Sequence, residues 1–243
     1  MKKAIALVVA LSAAATSFGQ HEVGVKAGYN YLMTNYESNS VETDGGGYHL
    51  GAYYSYSPMD NVFIGGEVLF SSRRWNAISS TTTESSILIK DDQYSFYSNS
   101  YIDIPLSIKY GMNFRKGRYG DSKYLMFYAG PTASLLMSTS GSTQRTTRVD
   151  ALDQTTVVQE DEVYQTQDLK THFRPFQLGF NVGVSYRFGF GLMIDARYQG
   201  FAFPATKTEL GLGPADLAPI PELEGEVRQG MFMVSIGYSF VRD

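Results

Sequence analysis

The chain contains no cysteine, so no disulfide framework holds it and no thiol near its start can carry a lipid. Long apolar runs are equally scarce. Beyond the first residues, no segment approaches the roughly 20 apolar residues that a membrane-crossing helix needs, and the mean hydropathy is −0.18. Basic charge is not in excess: 20 Lys and Arg stand against 24 Asp and Glu, for a net charge of −4. That balance excludes a strongly basic nucleic-acid binder. What the chain does have is 18 Tyr, 15 Phe and 24 Gly in 243 residues, a composition suited to β-structure. Low hydropathy does not exclude a membrane barrel, because only alternate residues of its strands touch lipid.

The N-terminus has the layout of an export signal. Met1-Lys2-Lys3 is basic, Ala4 to Ala15 is apolar but short, and Ser17 and Gly19 put small residues before Gln20. The expectation is a signal peptide over 1–19, cleaved before Gln20, followed by a single barrel domain over 20–243.

The dominant pattern is alternation. Over 176–188, Phe176, Leu178, Phe180, Val182, Val184, Tyr186 and Phe188 share one face, while Gln177, Gly179, Asn181, Gly183, Ser185 and Arg187 share the other. Side chains of a strand alternate between faces, so one face requires an apolar environment and the other a polar one. The pattern recurs in segments near 22–33, 48–57, 62–75, 101–112, 123–137, 192–203 and 228–240. Eight such strands after an export signal predict an all-β fold: an eight-stranded, antiparallel, up-and-down transmembrane β-barrel with its apolar face in lipid.

The connections support this reading. Those at 58–61, 113–122 and 189–191 are short, whereas 34–47, 76–94, 138–172 and 204–227 are long and polar. Outer-membrane barrels have short periplasmic turns and longer external loops, and a soluble sandwich has no reason to sort its loops by end. Outward aromatics collect beside the short turns: Tyr54, Tyr56, Tyr110, Tyr186, Phe188, Tyr238 and Phe240. They are expected to form a periplasmic girdle at headgroup level.

Several motifs, in order, carry a resemblance. They are Gly24-Val25-Lys26-Ala27-Gly28-Tyr29-Asn30, Tyr101-Ile102-Asp103-Ile104-Pro105-Leu106, Ala129-Gly130-Pro131, Ala196-Arg197-Tyr198-Gln199 and Gly237-Tyr238-Ser239-Phe240. With them the chain resembles the outer-membrane β-barrel family widespread in Bacteroidota, whose members are often labelled porin-like or PorT-like. The resemblance implies an eight-stranded barrel of the small OmpX or OmpA architecture, located in the cell outer membrane, and implies no single activity. Two features depart from the pattern: the chain runs on past its last aromatic as Val241-Arg242-Asp243, and the connection 138–172 is long.

An eight-stranded barrel has an interior just wide enough for side chains to fill it. The inward charges read from the alternation are Lys26, Glu67, Arg73, Asp103, Lys109, Arg187, Asp195 and Arg197. Isolated charges in a low dielectric are costly, so these are expected to pair as a plug, with a narrow passive pore as the alternative. Pro105 lies inside a strand that must pair on both edges, and a bulge or kink is expected there. The histidines, His21, His49 and His172, form no spacing that demands catalysis; His49 or His172 beside Ser71 or Asp103 is a constellation on paper only. The acidic run Glu160-Asp161-Glu162 reads as a solvated loop rather than a cation site. No catalytic, cofactor-binding or metal residue is assigned, and the chain is read as a non-enzyme.

The long connections are read as a solvated, variable surface. The alternative is that their β-forming patches at Ile87-Leu88-Ile89, Val157-Val158 and Val163-Tyr164 extend the barrel as hairpins whose edges bind partners. Expected partners are outer-membrane lipid, the barrel-assembly machinery during biogenesis, and an external protein or glycan reached through the loops. Nucleic acid is not among them, and the protein is expected to be a monomer. A role in secretion follows from the family label alone.

Overall fold

A computed structural model of the chain describes residues 20–36, 44–59, 61–84, 87–116, 122–151, 154–167, 170, 173–205 and 227–242. The expected signal peptide, most of the connection 204–227 and His172 lie outside these residues. Among the described residues nine strands form: β1 (Gln20–Tyr36), β2 (Asp44–Met59), β3 (Val62–Glu84), β4 (Ile87–Lys116), β5 (Ser122–Ala151), β6 (Gln154–Gln167), β7 (Phe176–Arg187), β8 (Leu192–Phe201) and β9 (Val227–Arg242). All pairings are antiparallel, in the order β4-β3-β2-β1-β9-β8-β7-β5-β6, and a further β4–β5 pairing closes the circle. Eight strands make the barrel, and β6 is an addition that pairs only with the far half of β5, from Ser140↔Gln167 to Ala151↔Gln154.

The alternation sets the two surfaces. On β9, Phe232, Val234, Ile236, Tyr238 and Phe240 are exposed, while Met233, Ser235 and Ser239 are buried. On β4, Leu106, Ile108 and Tyr110 are exposed and Tyr101, Asp103, Ser107 and Lys109 buried. Apolar groups therefore line the outside of these strands, and charged groups such as Asp103 and Lys109 lie within.

Two hairpin turns are tight. Asn61 has φ 67° between β2 and β3, and Gly191 has φ 103° between β7 and β8. At Gly191 an L side chain would be strained, and its N–H donates to Phe188 O at 3.1 Å. Both chain ends of the barrel, Gln20 and Arg242, lie at this short-turn end.

Pro105 produces no bulge, contrary to the expectation. The pairs Leu69↔Asp103 and Gly66↔Leu106 keep one register across the proline. So do Pro105↔Thr132 and Ile108↔Ala129 on the other side, across Pro131. The ladder is interrupted but not shifted, because Asn181 of β7 fills the gap. Its Nδ2 donates towards Leu106 O at 3.1 Å, Gly130 O at 3.0 Å, Pro131 O at 3.1 Å and Thr132 Oγ1 at 3.0 Å. Two prolines remove two donors, and one buried amide supplies them from the lumen. Asn181→Leu should therefore lower stability by about 1–3 kcal/mol, the penalty for buried acceptors left unpaired, read as a shift in the urea midpoint.

The long connections are also corrected. The strands do not stop near Trp75 and Met137. β3 and β4 pair as far as Glu84↔Leu88, and β4 and β5 as far as Ile87↔Ala151. The Ser- and Thr-rich sequence there sustains a ladder, although nothing in its hydropathy marks it as strand. The outer parts of β3, β4 and β5, with β6, make a four-stranded sheet standing beyond the barrel.

Candidate functional site

Among the described residues the barrel interior is where the chain concentrates its charged groups. Lys26 (β1), Glu67 (β3), Lys109 (β4), Asp195 and Arg197 (β8) meet in its middle. Lys26 Nζ lies 3.1 Å from Glu67 Oε2 and 3.0 Å from Asp195 Oδ1. One terminal nitrogen of Arg197 donates to both oxygens of Glu67, at 2.8 and 2.7 Å, and approaches Asp195 Oδ1 at 3.3 Å. Lys109 stands off, 4.0 Å from Glu67. The hydroxyl of Tyr128 donates to Asp195 Oδ2, and a Cβ at Gly183 would strike the tip of that ring. Glu67 thus faces three cations.

Arg73 and Asp103 form a second pair at 2.6 Å, both fully buried. Ser134 Oγ donates to the same carboxylate oxygen, and Arg73 also donates to Gln177 Oε1 at 3.2 Å. The guanidinium lies 4.0 Å from the Tyr101 ring centroid and 4.5 Å from that of Phe201, which suits a cation removed from water. Arg187 pairs not with a residue of the expected set but with Glu22, at 2.6 Å. Glu22 opens the expected strand 22–33 but was not counted among the inward charges. Its even spacing to Gly24 and Lys26 was the available signal.

The network lies between two apolar layers that the sequence reading did not anticipate. Towards the short turns, Tyr53, Phe63, Met126 and Met193 pack together. At the opposite end Leu32, Leu69, Trp75, Tyr97, Phe173 and Met231 form a larger cluster, with Trp75 stacked on Tyr97 at 4.2 Å. These residues sit at inward positions that were expected to be polar. Parity would have placed Leu69 and Trp75 there, two residues beyond Glu67 and Arg73 and on the same face.

The paper constellation around His49 does not assemble. His49 is fully buried, with Nδ1 2.6 Å from Asn30 Oδ1 and Nε2 2.8 Å from Ser235 Oγ. Both ring nitrogens are engaged, Ser71 bonds Asn30 instead at 3.0 Å, and Asp103 belongs to Arg73. His49 is thus a lumen residue rather than one beside the external connections. Glu160, Asp161 and Glu162 fall on β6, opposite Thr147, Thr146 and Arg145, and so are strand rather than loop. Among the described residues no group of three or more His, Asp or Glu could hold a metal ion.

Of the aromatics beside the short turns, Tyr54, Tyr56, Tyr110, Tyr238 and Phe240 are exposed on the outer face. Tyr186 and Phe188 are half-buried because their rings pack edge to face at 4.7 Å, and Phe190 tilts against Phe188 at 5.5 Å. His21 joins this end through a 2.6 Å contact of Nδ1 with Tyr54 OH. A second set, Tyr29, Tyr31, Tyr48, Phe70, Phe180 and Phe232, is exposed towards the other rim. Two outward aromatic zones separated by aliphatic residues match the two faces of a bilayer.

A closed antiparallel barrel with apolar side chains outside and ion pairs inside is the architecture of a transmembrane β-barrel. The chain matches the family described as outer membrane protein beta-barrel domain over residues 4–240. It belongs to that family, and its location is the outer membrane. Among solved structures it is similar to Ail, the attachment invasion locus protein of Yersinia pestis, with 13% identity, 92% of this chain and 100% of that chain covered, and a TM-score of 0.34. For Neisserial surface protein A the identity is 14%, the coverage 90% and 97%, and the TM-score 0.35. For the outer membrane protein OprG of Pseudomonas aeruginosa they are 8%, 91% and 96%, and 0.32. The assignment rests on the family match and on the barrel itself. No curated protein matches the chain.

Proposed function

We propose that the protein is a non-catalytic, monomeric outer-membrane barrel whose lumen is plugged by its own side chains and whose working surface is the sheet beyond the barrel. In this reading residues 1–19 are the export signal, the short turns face the periplasm and the four-stranded extension faces outwards. The observation that carries it is the interior itself, where Lys26, Glu67, Asp195 and Arg197 bond across the lumen between two apolar layers. Such a lumen offers a solute no continuous polar path.

The extension supports a surface role. Among the described residues β6 pairs with β5 alone, which leaves a strand edge that can add a partner strand through main-chain hydrogen bonds. An external protein with an extended segment fits that edge, and a glycan is the second class. A secretion role of the PorT kind has only the family resemblance behind it.

The absence of cysteine makes the test simple, since any introduced thiol is unique. Gln159→Cys on β6 should react in intact cells with a maleimide that cannot cross membranes. Replacing 141–166 by a short turn should leave a barrel that still resists detergent unfolding until heated. Failure to label, or collapse of the barrel on excision, would contradict the proposed surface.

A further inference from the structure

The barrel wall splits on one side. β8 and β9 pair from Leu192↔Tyr238 only as far as Gly200↔Gly230. Beyond that rung β9 continues with β1, up to Tyr36↔Val227, while the chain after Phe201 turns towards β7. Ala202 N donates to Leu178 O at 2.9 Å, and Arg174 N donates to Ala205 O at 2.9 Å. The two halves part like a notch, and a pocket of about 300 Å³ lies in it.

Its lining is of two kinds. Met33, Phe180 and Tyr198 come from the outer, lipid-facing side, and Gly200 and Gly230 leave room between them. Phe180 and Tyr198 pack at 5.9 Å and Tyr198 and Phe232 at 5.0 Å, giving an apolar wall. Gln229 also lines the pocket although it points inward along β9. It is 4% exposed, and among the described residues neither its amide nitrogen nor its amide oxygen has a hydrogen-bond partner. A buried primary amide left unpaired is costly, and here it borders the cavity. Arg228, exposed, sits one residue further towards the rim and also lines the pocket.

We infer that this notch is a lipid seat. It takes one anionic lipid of the surrounding membrane, with an acyl chain against Met33, Phe180 and Tyr198, the headgroup phosphate at Arg228, and a headgroup or ester oxygen accepting from Gln229. The charge chooses the class: a cation beside an apolar slot at the level of the outer aromatic zone complements an anionic amphiphile. The apolar wall alone would accept any chain. Gln229 supplies the donor that a chain without polar atoms could not satisfy.

Native mass spectrometry of the full chain tests the seat, with dioleoylphosphatidylglycerol and dioleoylphosphatidylcholine as probes. The anionic lipid should be retained about fivefold better, the effect of one basic residue near a membrane surface. Arg228→Gln should abolish that preference while leaving the neutral lipid unchanged, and Gln229→Leu should weaken retention of both. Leu106→Ala, on the far wall, should change neither. Arg228 is exposed, so its variant is not expected to compromise folding. Equal retention of the two lipids by the unaltered protein, or a preference untouched by Arg228→Gln, would overturn the inference.

Discussion

Replacing Glu67 by Gln should cost about 3–5 kcal/mol of barrel stability, the penalty for leaving buried charge uncompensated. Glu67 holds Arg197 through both carboxylate oxygens, Lys26 at 3.1 Å and Lys109 at 4.0 Å. Without its charge, three cations would share Asp195 alone. The effect is read by equilibrium urea unfolding in lipid vesicles, with Trp75, the only tryptophan, as an interior reporter. Lys109→Met provides the contrast. Among the described residues the lumen holds Lys26, Arg73, Lys109, Arg187 and Arg197 against Glu22, Glu67, Asp103 and Asp195. Lys109 is the cation with the longest contact and no second carboxylate, so its loss should stay within about 1 kcal/mol, as for a pair of little net worth. Similar costs for the two variants would mean that the network is not centred on Glu67.

The outer face carries the second large effect. Ile236 is 61% exposed and pairs with Ala27 and Ile194, midway between the two aromatic zones. Ile236→Arg should destabilise the barrel by about 2–4 kcal/mol, the cost of an arginine at the bilayer midplane. Phe240→Arg, beside the short turns, should cost about 1 kcal/mol or less because the side chain reaches the headgroups. A soluble barrel would accept both on its exposed face with little loss. The depth dependence, measured in vesicles, is therefore a signature of lipid contact rather than of packing.

The strand faces were legible in the sequence because a period of two is a local property. Val182 and Asn181 reveal opposite environments without knowledge of any neighbour. The barrel followed from repeating that local reading and from the sorting of the connections. What was not legible depends on partners distant in sequence. Asn181 could be placed in the lumen, but its service to the gaps at Pro105 and Pro131 exists only because β4, β5 and β7 lie side by side. The apolar layers at the two ends of the lumen were hidden by the rule that located the rest. With inward equated with polar, the inward parity of Met126, Met193 and Met231 was not read as two packed layers.

The extension was obscured for a different reason. Its strands, such as Thr81-Thr82-Thr83 and Thr155-Thr156-Val157-Val158, carry no clean alternation of apolar and polar residues, so nothing in their pattern fixes a register. The ladder from Ser140↔Gln167 to Ala151↔Gln154 is a hairpin that composition reads equally well as loop. The inward ion pairs lie between these cases. Their positions come from parity, but the partnership of Arg187 with Glu22 comes from closure of the barrel, which brings β1 across the lumen from β7.

In the proposed reading paired side chains, not solvent, occupy the lumen. Planar-bilayer recording of the purified full chain, with insertion verified by co-flotation with lipid, tests it most directly. The membrane should stay silent, without reproducible single-channel steps. Reproducible steps, with an ion selectivity that changes in Lys109→Met, would make the charged interior a conducting wall and contradict that reading.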